Sequence, residues 1–394
     1  MVAPPTTIPQ TAARGVPMNG PEYGERVAVT LRWSSENLLS LQHRAVERAP
    51  VLPAADIVRI SDELDVWDAW PLADALGQPV SWRGGELWFA LAASARPDPE
   101  ERHGHARIHC FHLLGGRYRH LGPALPDGFS PGSREWSGAA RMEGDWVALY
   151  FTAAGSRGEA APSFRQRLFV TRSQLGGGDA IFTGWSEPVE LLAPGSGPYL
   201  AAEESQGAIG EIKAFRDPFP WPRKDGREVL LFTASSKAEP GPFNGMIGLA
   251  EMSGNGCYRP LGPLVDAVGL NNELERPHLV AHKGLLYLFW STQAKVFAPG
   301  VSAPTGLYGA VAESLEGPWT LLNGDGLAFA NPEEEPFQAF SWWVMPDLQV
   351  ASFVDYWGTG APHAANKPSG RRHFGGTFAP FLQLALDGDR AWLA

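Results

Sequence analysis

The chain has 394 residues, and Lys+Arg 32 against Asp+Glu 43 gives a formal net charge of −11 with no basic stripe. That balance excludes nucleic acid and anionic membrane surfaces as expected partners and suits a neutral substrate. Gly 45 and Pro 35, set between short apolar runs, argue for an all-β fold with many turns. The 44% apolar content supplies a large core without a disulfide or metal staple.

Residues 1–24 are rich in Pro and Thr and contain no apolar h-region. They read as an arm that is surface-lying or partly disordered, neither a cleavable signal peptide nor a membrane span. Location is therefore expected to be extracellular by leaderless export, or cytoplasmic. Residues 25–394 read as one domain, opening with a helix or turn region over Glu36–Ala49 capped near Ser34-Ser35.

Next comes Val66-Trp-Asp-Ala-Trp-Pro-Leu72, a carboxylate between two indoles. Asp is a poor strand residue and costly to bury, so Asp68 needs a reason to be there. The bland reading is a turn Asp beside core tryptophans. The chemical reading is an ionised nucleophile aimed into an aromatic pocket.

From there the chain repeats itself loosely. Apolar runs begin at Glu86, Asp145, Glu228, Leu285 and Leu348. Each is followed by a second strand-like run, and the first four then by a short strand at a Pro, Gly or Trp turn, such as Trp185-Ser-Glu-Pro188 or Gly317-Pro-Trp319. The last second run spans Phe378 to Leu386. Strand, strand, short strand and turn is the pattern of a propeller blade, and the count is five. The expected fold is thus a five-bladed β-propeller with its active site in a central funnel. A sandwich or jelly roll is the rival, and it leaves the recurring order unexplained.

Polar motifs stand upstream of the five runs: Trp67-Asp68, Glu135-Trp-Ser-Gly138, Phe215-Arg-Asp-Pro218, Glu273-Leu-Glu-Arg276 and Gln338-Ala-Phe-Ser-Trp-Trp343. In a propeller these positions fall on the innermost strands, which converge. Retaining glycosyl transfer needs a carboxylate nucleophile and a carboxylic acid on one sugar. Asp68, Asp217 and one of Glu273 or Glu275 are the candidates. Two residues apart on a strand, Glu273 and Glu275 share a face. Taken singly, each is equally a surface ion pair.

Weaker signals remain. Cys110 and Cys257 lack a CxxC spacing and read as buried apolar side chains, with a disulfide not deducible. His103, His105, His109, His112 and His120 have no metal-ligand pattern and read as a solvated hairpin. Glu333-Glu-Glu335 reads as a solvated loop.

Together the motifs Val66–Leu72, Glu135–Gly138, Phe215–Pro218, Glu273-Leu-Glu-Arg-Pro-His278 and Gly376-Thr-Phe-Ala-Pro380 resemble those of glycoside hydrolase family 68. That is the family of levansucrases, inulosucrases and bacterial β-fructofuranosidases. The resemblance implies a five-bladed propeller that cleaves sucrose by a retaining, ping-pong route without a cofactor. It makes Asp68 the nucleophile, Asp217 the transition-state stabiliser and Glu275 the acid/base. Trp67, Trp136, Ser137, Arg216, Glu273 and Arg276 would shape the sucrose subsites. Gln293 stands where relatives carry Arg or His beside the acceptor, which points to short products over long polymer. Thr233 stands where relatives often have Glu. Asn272 replaces an Asp that helps hold calcium in Gram-positive members, so no structural calcium is expected. The expected partners are sucrose and fructosyl acceptors. An arabinanase-like glycosidase and a non-catalytic carbohydrate-binding propeller are the alternatives.

Overall fold

A computed structural model of the protein describes residues 30–176, 180–203, 212–239, 241–253, 256–360 and 368–394. The arm at residues 1–24 lies outside the described residues. The fold is all-β, and among the described residues α-helix is confined to Ser35–Leu38. The Ser34 backbone N–H donates to Asn37 Oδ1 at 2.8 Å at that helix start. A 3-10 turn, Leu39–Gln42, follows, so the expected helix or turn region over Glu36–Ala49 is mostly turn and helix stops well before Ala49. The reason is tertiary: Ala49 N–H is drawn to the Ala330 carbonyl, 2.8 Å away.

The strands form antiparallel meanders in chain order. The first unit runs through Leu64–Ala73, Gly85–Ser94, Arg107–Leu114 and Arg117–Pro123. The second comprises Arg134–Glu143, Trp146–Ala154, Gln166–Gln174 and Val189–Leu192. Phe215–Pro222, Glu228–Ser235, Gly245–Met252 and Tyr258–Pro260 make the third. The fourth has Glu275–His282, Leu285–Thr292 and Gly306–Ala312, edged by Thr320–Leu321 and Leu327–Ala330. The fifth is led by Ala339–Val344 and Gln349–Tyr356 and ends with Leu382–Asp387 and Arg390–Leu393.

The apolar runs identified in sequence are the second strands, and the polar motifs lie on or just before the leading strands. Leu285–Thr292 is buried along nearly its whole length, which is why it is apolar without alternation. Its hairpin turns on Lys283 and Gly284 at φ 48° and 82°, the type I′ geometry that matches strand twist. Two details differ from the sequence reading. Trp185–Pro188 is no strand, and the outer strand begins at Val189. The run from Phe378 to Leu386 is split at Pro380, which has no N–H to offer a ladder.

Each unit is tied to the next. Leading strands of the first and second pair in parallel through Leu72↔Ala140 and Ala73↔Arg141. The Asp217 N–H donates to Thr152 Oγ, the Arg276 N–H to Thr233 Oγ and the Trp342 N–H to Ser291 Oγ, linking second to third, third to fourth and fourth to fifth. The fifth returns to the first through Arg371, whose guanidinium grips both carboxylate oxygens of buried Asp65 at 2.6 and 2.8 Å. Ahead of the first unit, Leu31–Arg32 pairs with Val265–Asp266, and Trp33 packs among Trp290, Phe297 and Tyr308. No helix among the described residues is long and apolar enough to cross a membrane.

Three expectations need correction. Cys110 is buried, but Cys257 is exposed. Glu335 is buried rather than solvated, because its carboxylate accepts from the Thr359 and Gly360 backbone N–H groups. The histidine-rich stretch includes a hairpin, Arg107–Leu114 with Arg117–Pro123, on which His120 is exposed, but it is not solvated throughout: His112 is buried, with Nε2 3.2 Å from the Trp82 carbonyl.

Candidate active site

Every leading strand slips register at the same place. The shifts fall between Trp67 and Trp70, Trp136 and Gly138, Arg216 and Phe219, Glu275 and His278, and Phe340 and Trp343. Such bulges re-aim a side chain that regular alternation would send elsewhere. Asp68, Asp217, Arg276 and Ser341 sit in them at φ 50°, 61°, 53° and 62°. A left-handed backbone costs a non-glycine residue on the order of 1–2 kcal/mol, so each position is held by its surroundings.

All ten residues singled out from the sequence meet, most of them carried by the leading strands and their bulges. Asp68, Asp217, Glu275, Trp67, Trp136, Ser137, Arg216, Glu273, Arg276 and Gln293 line one cavity of about 790 Å³, open mouth included. The Asp217 carboxylate accepts from Ser137 Oγ at 2.7 Å, Thr233 Oγ at 2.8 Å and the Arg276 N–H at 3.2 Å. Asp68 is placed differently. Burial pushes its carboxyl above the ordinary value, and the Arg276 guanidinium and the Ser341 hydroxyl oppose that rise. Arg276 reaches across three units, donating to Ser341 Oγ at 2.7 Å and to the Ala69 carbonyl at 2.8 Å. Its guanidinium lies 5.6 Å from the Trp70 ring and 5.0 Å from Trp343.

Glu275 holds its proton well above the usual carboxylate range. Burial is the largest cause, the neighbouring Glu273 carboxylate adds to it, and Arg216 opposes. Arg216 Nη2 stands 3.2 Å from Glu273 and 3.2 Å from Glu275. The strand begins only at Glu275, so Glu273 reaches the cavity from the preceding turn, where its N–H donates to Asn271 Oδ1 at 2.7 Å. The shared-face expectation is met by a turn rather than by strand alternation. Two buried polar atoms of the wall have hydrogen-bonding capacity to spare: Arg216 Nη1, which has no partner in the protein, and Glu273 Oε1, whose contact is the 3.2 Å ion pair with Arg216 Nη2. They suit a hydroxyl-bearing ligand.

Glu135 takes no part in the cavity lining. Its carboxylate accepts the Ile108 N–H at 2.8 Å and lies 3.4 Å from Arg107, and burial pushes its carboxyl up to about 7. It clamps the first unit to the second.

Sequence reasoning missed part of the wall: Glu100, Arg102, His103, Lys295 and Asp355 also line the cavity. Arg102 and His103 lie in the 3-10 turn Pro99–His105. His103 packs its ring edge on Trp67, and buried Arg102 lies 4.6 Å from the Phe374 ring. The local signal was Asp98-Pro99, a cap and first-turn proline that places a turn but not its destination. Among the described residues, no cluster of three or more His, Cys, Asp or Glu side chains is placed to hold a metal ion.

The chain matches the family model described as Levansucrase/Invertase over residues 24–244 and 242–394. It is 31% identical over 408 residues to levansucrase LscC of Pseudomonas savastanoi pv. glycinea, covering 92% of this chain and 90% of that protein. With the levansucrase of Zymomonas mobilis subsp. mobilis the identity is 32% over 370 residues, 86% of this chain and 84% of the relative. A solved inulosucrase from Halalkalicoccus jeotgali, bound to kestose, superposes with a TM-score of 0.81 at 32% identity, covering 93% and 95% of the two chains. The chain therefore belongs to glycoside hydrolase family 68, a family of sucrose-active fructosyl enzymes.

Proposed function

We propose that the protein cleaves sucrose through a covalent fructosyl-enzyme and passes the fructosyl group to water or to a sugar hydroxyl. Asp68 attacks the anomeric carbon of the fructosyl ring as the bond to the glucosyl oxygen breaks. Glu275 gives its proton to that oxygen, and glucose leaves. Glu275, now a carboxylate, takes a proton from water or an acceptor hydroxyl, which attacks the same carbon and frees Asp68. Two inversions retain the anomeric configuration. Asp217, bound by three donors, holds fructosyl hydroxyls while charge builds on the ring. Arg216 Nη1 and Glu273 Oε1 take further hydroxyls, and Trp67 and Trp136 wall the sugar faces.

The five units are proposed to close around this cavity as the blades of a propeller, their leading strands nearest the axis. The link from the fifth unit back to the first supports that closure. Gln293 and Lys295 at the rim favour short fructooligosaccharides over long polymer, since neither offers an apolar platform for a growing chain.

The observation that carries the reading is one cavity in which Glu275 retains a proton beside Asp68 and Asp217. Incubation with sucrose, with glucose and free fructose both measured, tests it. Glucose in excess of fructose marks transfer and equal amounts mark hydrolysis. Asp68→Ala should remove at least about 10⁴-fold of glucose release while leaving the protein folded. Intact glucose release by that variant would end the proposal.

A further inference from the structure

Among the described residues, four oxygens surround one ammonium beside the cavity. Lys213 Nζ donates to the Gly241 carbonyl at 2.9 Å, the Pro242 carbonyl at 3.0 Å, Asn244 Oδ1 at 2.7 Å and Asn272 Oδ1 at 2.9 Å. An ammonium has three hydrogens, so the four acceptors share them. All four are neutral. Their distances are those of N–H···O hydrogen bonds, longer than the roughly 2.3–2.6 Å of calcium to oxygen. With the lysine head among them, these oxygens do not fit the calcium ion that some family members carry.

What the ammonium joins is more telling than what it replaces. Lys213 lies four residues before Asp217, and its carbonyl is held by Gln166 Nε2 at 2.7 Å. The same Gln166 accepts the Phe215 N–H through Oε1. Asn272 belongs to the turn that delivers Glu273 and Glu275. In that turn Asn271 Oδ1 accepts the Glu273 N–H, and the Asn272 N–H donates to the Val296 carbonyl at 3.0 Å. The loop carrying Asn244 presses against the same turn at Gly245, where a Cβ would sit 2.8 Å from the Asn272 carbonyl carbon.

We infer that Lys213 is a tethered cation: its ammonium locks the 241–244 loop to the Asn271–Asn272 turn and so fixes Glu273 and Glu275 relative to Asp217. It touches no substrate and is a positioning residue. A mobile ion would serve the same oxygens only while bound, whereas the lysine is always present. This rests on the proposed roles of Glu275 and Asp217 for its kinetic readout, and on neither for its stability readout.

The test uses the full chain and two variants. Excess calcium chloride or EDTA leaves the melting temperature of the wild type unchanged. Lys213→Ala melts lower and releases glucose from sucrose about 10- to 100-fold more slowly in kcat, as a displaced acid does, with KM little altered. Propylammonium, but not tetramethylammonium at equal ionic strength, raises both the melting temperature and kcat of that variant. Lys213→Met, which keeps the stem and fills the space, shows the same losses without amine rescue and decides the matter if the alanine variant does not fold. Calcium stabilising the wild type, Lys213→Met matching it in melting temperature and kcat, or propylammonium failing to raise the melting temperature of Lys213→Ala would each overturn the inference. If sucrose proves not to be the substrate, the melting measurements still decide it.

Discussion

Two arcs of the cavity wall share one backbone device in opposite surroundings. Across the second, third and fourth units the second strand carries a hydroxyl opposite the bulge: Thr152 facing Trp136, Thr233 facing Arg216 and Ser291 facing Glu275. Each hydroxyl satisfies a main-chain N–H of the next unit. In the first and fifth units the equivalent positions are Leu91, facing Trp67, and Phe353, facing Phe340. Asp217 sits on the hydroxyl arc, surrounded by donors. Asp68 sits where the apolar arc begins, and burial raises its carboxyl. The bulge decides where a carboxylate points, and the residue on the neighbouring strand decides how it is solvated.

Glu275 lies at the seam between the arcs, and among the changes that probe this contrast its loss should have the largest effect. Glu275→Gln lowers kcat on sucrose by about 10²–10⁴-fold, the range for a general acid. A fructosyl fluoride, whose leaving group needs no proton, loses much less, and equal losses on both substrates would break the assignment. For the wild type the sign follows from the two directions. Activity falls as pH rises through the raised value of Glu275, which must hold its proton. It also falls as pH drops through that of Asp68, which must be ionised.

A change on each arc sharpens the contrast. Thr233→Val removes a donor to Asp217 and one of the two acceptors of the Arg276 N–H, so kcat drops on the order of 10²-fold, as for other lost transition-state donors. Leu91→Ala leaves those donors in place and opens space in the wall. Its main cost is about 2–5 kcal/mol of stability, read in denaturant, with a smaller change in kcat. The reverse pattern would show that the arcs do not divide the work.

The smallest effect concerns the clamp between the first two units. Glu135 binds its proton more tightly folded than unfolded, from an ordinary 4.5 to about 7. Its contribution is therefore fully present below pH 4.5 and is lost as pH rises towards 7. Glu135→Gln should flatten that stretch of the stability profile, and an unchanged slope would assign it to another group.

Much of this was readable in the chain. The polar motifs could be aligned because each precedes an apolar second strand, so the repeat itself pointed to Asp68, Asp217 and one of Glu273 or Glu275, and the resemblance to the family singled out Glu275. Arg102 and His103 could not be placed, since contacts with residues distant in the chain, Arg102 on Phe374 and His103 on Trp67, turn that segment inward. Lys213 was equally silent, because its partners arrive from two separate loops. Glu335 misled for the same reason, its donors being 24 and 25 residues downstream.

The left-handed backbone at positions 68, 217, 276 and 341 has an evolutionary consequence. Glycine would relax all four, so drift toward greater folding stability runs directly against the chemistry there. Selection for turnover must hold an acid, an acid, a base and an alcohol at sites the main chain would rather leave bare. A lineage freed from that selection would be expected to record its release first at those codons.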